Sequence, residues 1–359
     1  MVRIRKYLSL GNLGMKLAVV SICKNEARHA ADWIACLEAE RVDTVVVLDT
    51  GSEDDTQDIL ANSDFSGALI LADYTSPGEV FDFAHARNAS FALVPDDHFV
   101  VWLDLDERIS KGWAESLRSL DLENISGVCA DWFEDSISTY QLKAINPAYY
   151  EWKYACHEIL VPLPDKEHLI RELDSIDNFR VYHYPDKSKN RSYLEALLLS
   201  HAQHTDARTA FYLLREISVL ACRGSYALDL AKSQVIELAR DYGPRMNLDY
   251  AAWAYIFAAR LFLHAKDYKA AEYYMRYAEI ARPDRVEVYE EYARVYLKVD
   301  PIGTLHKALK GITVKSESNF VFEDSGARVR CMQIASDCCT ELGLLDKAFF
   351  YKSLIEVET

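Results

Sequence analysis

The first half of the chain alternates between short apolar runs and helical patterns, and this alternation limits the fold more than any other feature. Buried strands are indicated by KLAVVSIC, VDTVVVLDT, GALILAD and HFVVWLDLD. Helical spacing of apolar residues is found between them, in ARHAADWIACLEAE, SEDDTQDILANS and DFAHARNASFALV. Such alternation predicts an α/β domain with a parallel sheet and helices on both faces.

The pattern changes after Asp106, where apolar segments follow one another without long helices between them. These segments are GVCADWFED, ISTYQLKAI and EILVPL. We expect them to add antiparallel strands to the sheet. Beyond about Asn190 the strand patterns stop and the chain becomes helical, rich in Ala and Tyr.

A repeat is visible in this helical half. Large and small residues recur at the tetratricopeptide period of about 34 residues. They are Tyr255, Ala258, Ala259, Phe262, Ala271, Met275, Ala278 and Pro283, then Tyr289, Tyr292, Ala293 and Tyr296, and more weakly Ala335, Cys339, Gly343 and Ala348. The alternative is a generic helical bundle. We therefore expect an N-terminal arm at 1–15, an α/β domain at 16–190 and a tetratricopeptide-like helical domain at 191–359.

Charge and composition narrow the class of protein. The net charge of −16 argues against broad binding to nucleic acids or anionic membranes. No apolar run is long enough for a membrane span. The eight cysteines are scattered without a C-x-x-C pair, and no signal peptide is recognised, so we expect reduced thiols and a cytoplasmic protein.

Polar residues follow the first two strands, at the edge where open α/β sheets bind ligands. The first strand ends at Ser21 and leads into Asn25 and Glu26, and the second ends at Asp49. An acidic residue at such a tip commonly accepts ribose hydroxyls or a base edge. The alternative for Asp49 and Ser52 is that they only cap and turn the chain.

The fourth strand runs directly into three carboxylates, Asp104, Asp106 and Glu107. They repel one another unless positive charge lies between them. The D-x-D triplet places two carboxylates on one face of an extended strand. Because Mg²⁺ and Mn²⁺ prefer such oxygen ligands, we predict a divalent cation here, which in turn neutralises a diphosphate. Neither a G-x-G-x-x-G nor a P-loop motif is present.

Taken together, SICKNEA, DTGSEDDT, FAHARNASFA and WLDLDER resemble family-two glycosyltransferases with the GT-A fold. That family has an Asn–Glu strand end, D-x-x-S-x-D-x-T, an A-R-N helix and D-x-D, in this order. The segments EWKYACHEILV and FRVYHYPDKSKNRSYLEALL are similar to a subgroup in which tetratricopeptide-like helices follow the transferase. Where that subgroup often has Gly-Tyr after a lone His, this chain has Tyr184-Pro185.

The resemblance implies a metal-dependent, inverting transfer from a nucleotide-sugar, usually a UDP-sugar, with Mn²⁺ or Mg²⁺. It assigns metal binding to Asp106, His183 and Asp104. The nucleotide-sugar contacts that we expect are Ser21, Asn25, Glu26, Asp49, Arg87, Asp104, Lys187 and Arg191. For Arg87 the alternative is a structural salt bridge to Asp104 or Glu107.

An inverting transfer needs a carboxylate base for the acceptor. Glu158 is the favoured candidate, followed by Asp131 and Glu134. Trp152 and Tyr154 are candidates to stack on a sugar face, with core packing as the alternative.

Partners are less constrained. The helical repeats could hold a protein acceptor, mediate a homodimer or buttress the transferase domain. The sequence leaves three classes of acceptor open: a peptide, a saccharide or a modified nucleobase. Two other readings stay open: a non-catalytic scaffold, and a nucleotidyltransferase, although the latter carries a Gly-rich opening loop that SICKNEARH lacks.

Overall fold

The computed structural model describes residues 16–135, 137–173, 176–186, 192–297, 299–315 and 326–358. It divides into two compact units, Met1–Arg191 and Ser192–Thr359. The arm expected at 1–15 lies outside the described residues, and so do Lys187 and Arg191.

The first unit contains strands and short helices. The strands are β1 (Lys16–Cys23), β2 (Thr44–Asp49), β3 (Ala68–Asp73), β4 (His98–Trp102), β5 (Glu107–Ile109), β6 (Gly127–Glu134), β7 (Ile137–Ile145), β8 (Tyr150–Lys153), β9 (Ile159–Pro162), β10 (Glu172–Leu173) and β11 (Arg180–His183). The helices are α1 (Ala27–Ala39), α2 (Thr56–Ala61), α3 (Phe83–Phe91) and α4 (Trp113–Arg118).

The main sheet is mixed, as the sequence predicts. Its order is β3-β2-β1-β4-β7-β6-β11-β5, with β10 pairing the start of β6. Strands β1 to β4 are parallel, whereas β7 runs antiparallel to both β4 and β6. Strands β8 and β9 form a separate antiparallel hairpin, so the expectation that EILVPL joins the main sheet is wrong. The parallel register brings the carboxyl ends of β1, β2 and β4 to one edge of the sheet.

Both faces of the sheet are covered, because alternate residues of the central strands point to opposite sides. On one face Val19 and Val101 pack with Trp33 of α1. On the other face Val20 and Phe91, the latter from α3, lie in a second apolar cluster. Burial on both sides explains why the central strands read as continuous apolar runs.

The second unit is helical throughout its described residues. Its helices are α5 (Leu194–Gln203), α6 (Ala207–Cys222), α7 (Leu228–Tyr242), α8 (Leu248–His264), α9 (Tyr268–Ala281), α10 (Val286–Tyr296), α11 (Pro301–Thr313), α12 (Ala327–Glu341) and α13 (Leu345–Glu358).

Consecutive helices of this unit pack in tetratricopeptide-like pairs, α8 with α9, α10 with α11, and α12 with α13. Small residues of the repeat are fully buried where helices approach, as at Ala258, Ala271 and Ala293. At Gly311 a Cβ would lie 2.6 Å from the Cys331 Sγ, so only glycine fits that approach. No described helix has the length and apolar character that crossing a bilayer requires.

Candidate active site

The loop after β1 is tied to the loop after β2. Asn25 adopts a left-handed conformation (φ 57°), which an asparagine tolerates better than most residues. Its backbone N–H donates to the Ser52 Oγ at 2.9 Å, and its side-chain Oδ1 accepts from the Glu53 backbone N–H at 2.7 Å. The Glu26 amide donates to the Thr56 Oγ1 at 2.8 Å. These bonds join the Asn–Glu turn and the D-x-x-S-x-D-x-T loop into one wall of the site.

Asp49 closes its own turn. Its Oδ1 accepts from the Gly51 and Ser52 amides at 2.8 and 2.7 Å, while its Oδ2 accepts from the Cys23 Sγ at 3.4 Å. Burial raises the pKa of Asp49, but the Ser52 and Gly51 hydrogen bonds outweigh it and hold that pKa below its ordinary value. The turning role considered from sequence is therefore present. Asp49 also borders a cleft of ≈ 200 Å³ that Asp73 helps to line.

Ser21 differs from its sequence-based expectation. It is 1% exposed within β1, and its hydroxyl faces the Ile22 carbonyl at 3.3 Å. The expectation of a nucleotide contact from this side chain is corrected, because its position inside the strand removes it from the surface.

Arg87 lies beneath the D-x-D residues. Its two terminal nitrogens donate to the Asp104 carboxylate at 2.9 and 3.1 Å, and its Nε donates to the Glu158 Oε1 at 2.7 Å. The guanidinium carbon lies 5.3 and 5.0 Å from the ring centroids of Trp102 and Trp152. The side chain is 9% exposed. The expected nucleotide contact is therefore corrected, and the salt bridge to Asp104 is what the structure shows.

Burial alone would raise the pKa of Asp104, but the charge and hydrogen bonds of Arg87 outweigh it and lower that pKa. Bidentate pairing of this kind is the strongest carboxylate–arginine geometry. The consequence is that Asp104 and Glu158, from distant parts of the chain, are fixed relative to each other by one guanidinium.

Glu107 is paired by a lysine that sequence reasoning missed. Lys143 on β7 donates to both Glu107 oxygens at 2.8 and 2.7 Å, and both side chains are almost fully buried. Glu107 also accepts from the Trp132 Nε1 at 2.7 Å and the Asp104 amide at 3.0 Å. Burial lowers the pKa of Lys143, and Glu107 offsets this only in part. A signal for Lys143 existed, since a lone lysine in an apolar strand needs an acidic partner.

Asp106 meets His183, the imidazole at the end of β11. The His183 Nε2 lies 3.3 Å from an Asp106 oxygen, and the Nδ1 lies 2.7 Å from a Glu134 oxygen. The His183 ring also stacks against Trp132 at 5.3 Å. Burial lowers the pKa of His183, but the two carboxylates raise it to about 9. Both members of the Asp106–His183 pair remain about one-quarter exposed.

This pair fits a divalent cation. Two ligands at about 2.1 Å from one cation, at roughly right angles, lie about 3.0 Å apart, close to the observed separation. Ligating histidines usually give their second ring nitrogen to a carboxylate, and Glu134 supplies it. Across the described part of the chain, no three His, Cys, Asp or Glu side chains form a preformed metal site. Further ligands would therefore be substrate oxygens and water, the usual situation for Mg²⁺ on a phosphate.

The three acidic residues after β4 thus have three different basic neighbours. Arg87 pairs with Asp104, Lys143 with Glu107 and His183 with Asp106. From the sequence, this positive charge is assigned to a metal, with a salt bridge from Arg87 to Asp104 or Glu107 as the alternative. Because Arg87 and Lys143 already pair with Asp104 and Glu107, Asp106 is the carboxylate of the three that could hold a cation.

Trp152 and Tyr154 are core residues. They are 5% and 9% exposed, and Trp152 packs edge-to-face on Trp102 with ring centroids 5.0 Å apart. Asn88 fixes the Trp152 backbone through two hydrogen bonds, of 2.8 and 2.9 Å. The expectation that these rings stack on a sugar is corrected, because neither presents a face at the surface.

Asp131 is the other correction. Its carboxylate lies 3.7 Å from the Arg180 guanidinium. The Trp132 ring and the Glu134 carboxylate, in contrast, both contact His183. Because side chains alternate along β6, Asp131 points away from these two residues. It does not share the site with Asp106, so it is removed from the candidate bases.

Comparison with known proteins identifies the first unit. The family model for glycosyl transferase family 2 matches residues 18–171. The chain contains a family 2 glycosyltransferase domain. A TPR repeat-containing protein of Synechococcus elongatus is 34% identical over 113 residues, which are 30% of this chain. The chain spans only 26% of that relative.

Two solved structures are similar at low identity. Residues 1–349 of S. aureus TarS, in complex with UDP-GlcNAc, match with 12% identity, a TM-score of 0.37 and 92% coverage of both chains. MamA matches with 14% identity and a TM-score of 0.36, covering 46% of this chain and 85% of MamA. Both scores are too low to establish a shared fold. The sheet formed by the residues that match the family model is mixed, and along the chain it precedes the tetratricopeptide-like helices.

Proposed function

We propose that the protein transfers a sugar from a nucleotide-sugar, a UDP-sugar, to an acceptor in a metal-dependent reaction that inverts the anomeric centre. The observation that carries this proposal is the Asp106–His183 pair, 3.3 Å apart at the end of β4 within a family 2 glycosyltransferase domain.

Asp106 and His183 would hold Mg²⁺ or Mn²⁺. Such an ion stabilises the negative charge of a departing diphosphate. Glu134 keeps the His183 ring oriented with Nε2 towards Asp106. Asp104 is held by Arg87, and its side chain is 33% exposed, so part of its carboxylate is accessible to a ribose or sugar hydroxyl.

The nucleoside would lie along the wall built from the Asn25–Glu26 turn and Asp49. Asn25 is exposed and its backbone is fixed by the Ser52 hydroxyl, which favours a preformed contact surface. Contacts from Lys187 and Arg191 to the diphosphate stay part of the proposal.

Glu158 is our candidate base. Its carboxylate is 14% exposed, and Arg87 fixes its position next to Asp104, on the same side of the sheet edge as the D-x-D residues. In the proposed step Glu158 takes the proton of the acceptor nucleophile, the nucleophile attacks the anomeric carbon, and the nucleoside diphosphate leaves. The proton ends on Glu158 and the electron pair of the broken bond on the diphosphate.

The helical unit would serve the acceptor or assembly. Tetratricopeptide-like arrays expose long surfaces that suit a peptide or protein, and we include a protein acceptor and a homodimer among the proposals.

The test is product analysis with a panel of UDP-, GDP-, CDP- and dTDP-sugars and Mn²⁺. The proposal predicts slow release of UDP from one UDP-sugar, abolished by Asp106→Asn. The Lys16→Met variant is the control, since Lys16 forms only an exposed pair with Asp97 at the opposite end of β1. Release of sugar 1-phosphate, with transfer of the UMP group, would indicate a nucleotidyltransferase, and no release from any donor would favour the scaffold.

A further inference from the structure

Glu107 connects the two halves of the proposed metal site. Its side chain accepts the Asp104 amide, which fixes the start of the D-x-D turn. Its backbone is paired in antiparallel register with His183, and the adjacent Asp106 carbonyl accepts the Tyr184 amide at 2.8 Å. Both candidate ligands therefore depend on the placement of one residue.

The same carboxylate also acts on the His183 ring indirectly, through Trp132. Glu107 accepts from the Trp132 Nε1, and the Trp132 ring stacks on His183. Lys143 lies over the Trp102 ring at 3.3 Å and donates to both oxygens of Glu107. Because Glu107 is 3% and Lys143 0% exposed, neither is placed to touch a substrate.

We propose that the buried Lys143–Glu107 pair is a positioning unit that holds Asp106 and His183 at ligand distance. The proposal rests on the proposed function, since it concerns the same metal site. Neither residue is a metal ligand or a catalytic residue. Their effect is transmitted through the D-x-D turn and through Trp132.

The alternative is that the pair contributes only to stability. Breaking a buried ion pair by removing one partner leaves an uncompensated charge, so single variants such as Lys143→Met will lose stability whatever their role. Replacing both charges by groups of similar shape is often nearly neutral. The double variant Glu107→Gln/Lys143→Met therefore separates the two roles.

The experiment measures Mn²⁺ binding to the full chain in the presence of UDP, by calorimetry, with thermal unfolding followed in parallel. Outer-shell partners of metal ligands typically change metal affinity by about 10–100-fold. We expect the double variant to fold with a melting temperature near that of the wild type and to bind Mn²⁺ at least about tenfold more weakly. Lys16→Met should bind as the wild type does.

A folded double variant whose Mn²⁺ affinity equals that of the wild type would overturn the inference. If the double variant does not fold, Trp132→Phe carries the test, because it removes only the indole donor and keeps a ring against His183. A several-fold weaker affinity in Trp132→Phe supports the inference, and an unchanged affinity overturns it. If the wild type binds no Mn²⁺ with UDP, the proposed function fails, and the inference fails with it.

Discussion

Arg87 offers the most demanding test of the site geometry. Replacing it by methionine removes the partner of both Asp104 and Glu158, whose side chains are 33% and 14% exposed. Breaking a buried ion pair typically costs about 3–5 kcal/mol, and the partial exposure of Asp104 puts Arg87→Met near the lower end, at about 3 kcal/mol. For a unit of this size, that corresponds to a fall in melting temperature of roughly 6–12 °C.

Urea unfolding followed by tryptophan fluorescence is the suitable assay. Five of the six tryptophans lie before residue 191, so the signal reports mainly on the first unit. Arg87→Lys keeps the charge but cannot donate to both carboxylates in the planar geometry of a guanidinium, so we expect a stability between those of the wild type and Arg87→Met. Arg180→Met is the matched control, since its contact with Asp131 is 3.7 Å long and 60% exposed on the arginine side. If the free energies of unfolding of Arg87→Met and the Arg180→Met control differ by less than about 1 kcal/mol, the interpretation that Arg87 fixes both Asp104 and Glu158 is wrong.

Three further predictions concern other parts of the chain. Asn88→Ala should lose about 2 kcal/mol of stability, measured by urea unfolding, because both backbone groups of Trp152 lose their partner. Gly311→Ala should lower the melting temperature of the second unit, because its Cβ would meet the Cys331 Sγ at 2.6 Å; overpacking costs about 1–3 kcal/mol. Glu279→Gln should destabilise that unit at pH 7 by about 1 kcal/mol, because Glu279 accepts from two lysines at 2.6 and 2.8 Å.

The Glu279 prediction has a defined pH dependence. Burial raises the pKa of Glu279, but the hydrogen bonds from Lys307 and Lys310 outweigh this effect, so the pKa of Glu279 lies below its ordinary value. The stabilisation is complete above the unfolded pKa of about 4.3 and is lost as pH falls through the lower folded pKa. The difference between Glu279→Gln and wild type should therefore shrink below about pH 4.

Each of these three predictions has a control or an outcome that would contradict it. Asn62→Ala removes a single exposed bond to the Asp58 carbonyl and should change stability little. Gly311→Ala should cost less when it is made in a Cys331→Ala background than in the wild type, and an equal cost in both backgrounds would place the clash elsewhere than at the sulfur. A Glu279→Gln deficit that persists undiminished at pH 3 would contradict the assigned cause.

The parallel half of the sheet was predictable because its strands are buried on both faces. Runs such as LAVVSIC and TVVVLD contain little else than apolar residues, and local pattern is then sufficient. Strands β5, β8 and β10 were not predicted. They have two to four residues, and β5 consists of Glu107, Arg108 and Ile109, so only tertiary pairing makes it a strand.

The site was predictable at the level of motifs and not of partners. The D-x-D residues and His183 do lie together, because β5, which directly follows Asp106, pairs antiparallel with β11 and places His183 opposite Glu107. The buried position of Arg87 could not be predicted from the A-R-N motif. Whether this arginine faces substrate or core depends on Trp152, which lies 65 residues further along the chain and packs against the guanidinium. Lys143 was missed for the same reason.

The most direct test of the central claim is calorimetric titration of UDP into the full chain, with and without Mn²⁺, for the wild type and Asp106→Asn. The account predicts UDP binding that is strengthened by Mn²⁺ in the wild type and that loses this dependence in Asp106→Asn, with thermal unfolding showing that the variant is folded. UDP binding that Mn²⁺ does not change, or that keeps its Mn²⁺ dependence in Asp106→Asn, would contradict it.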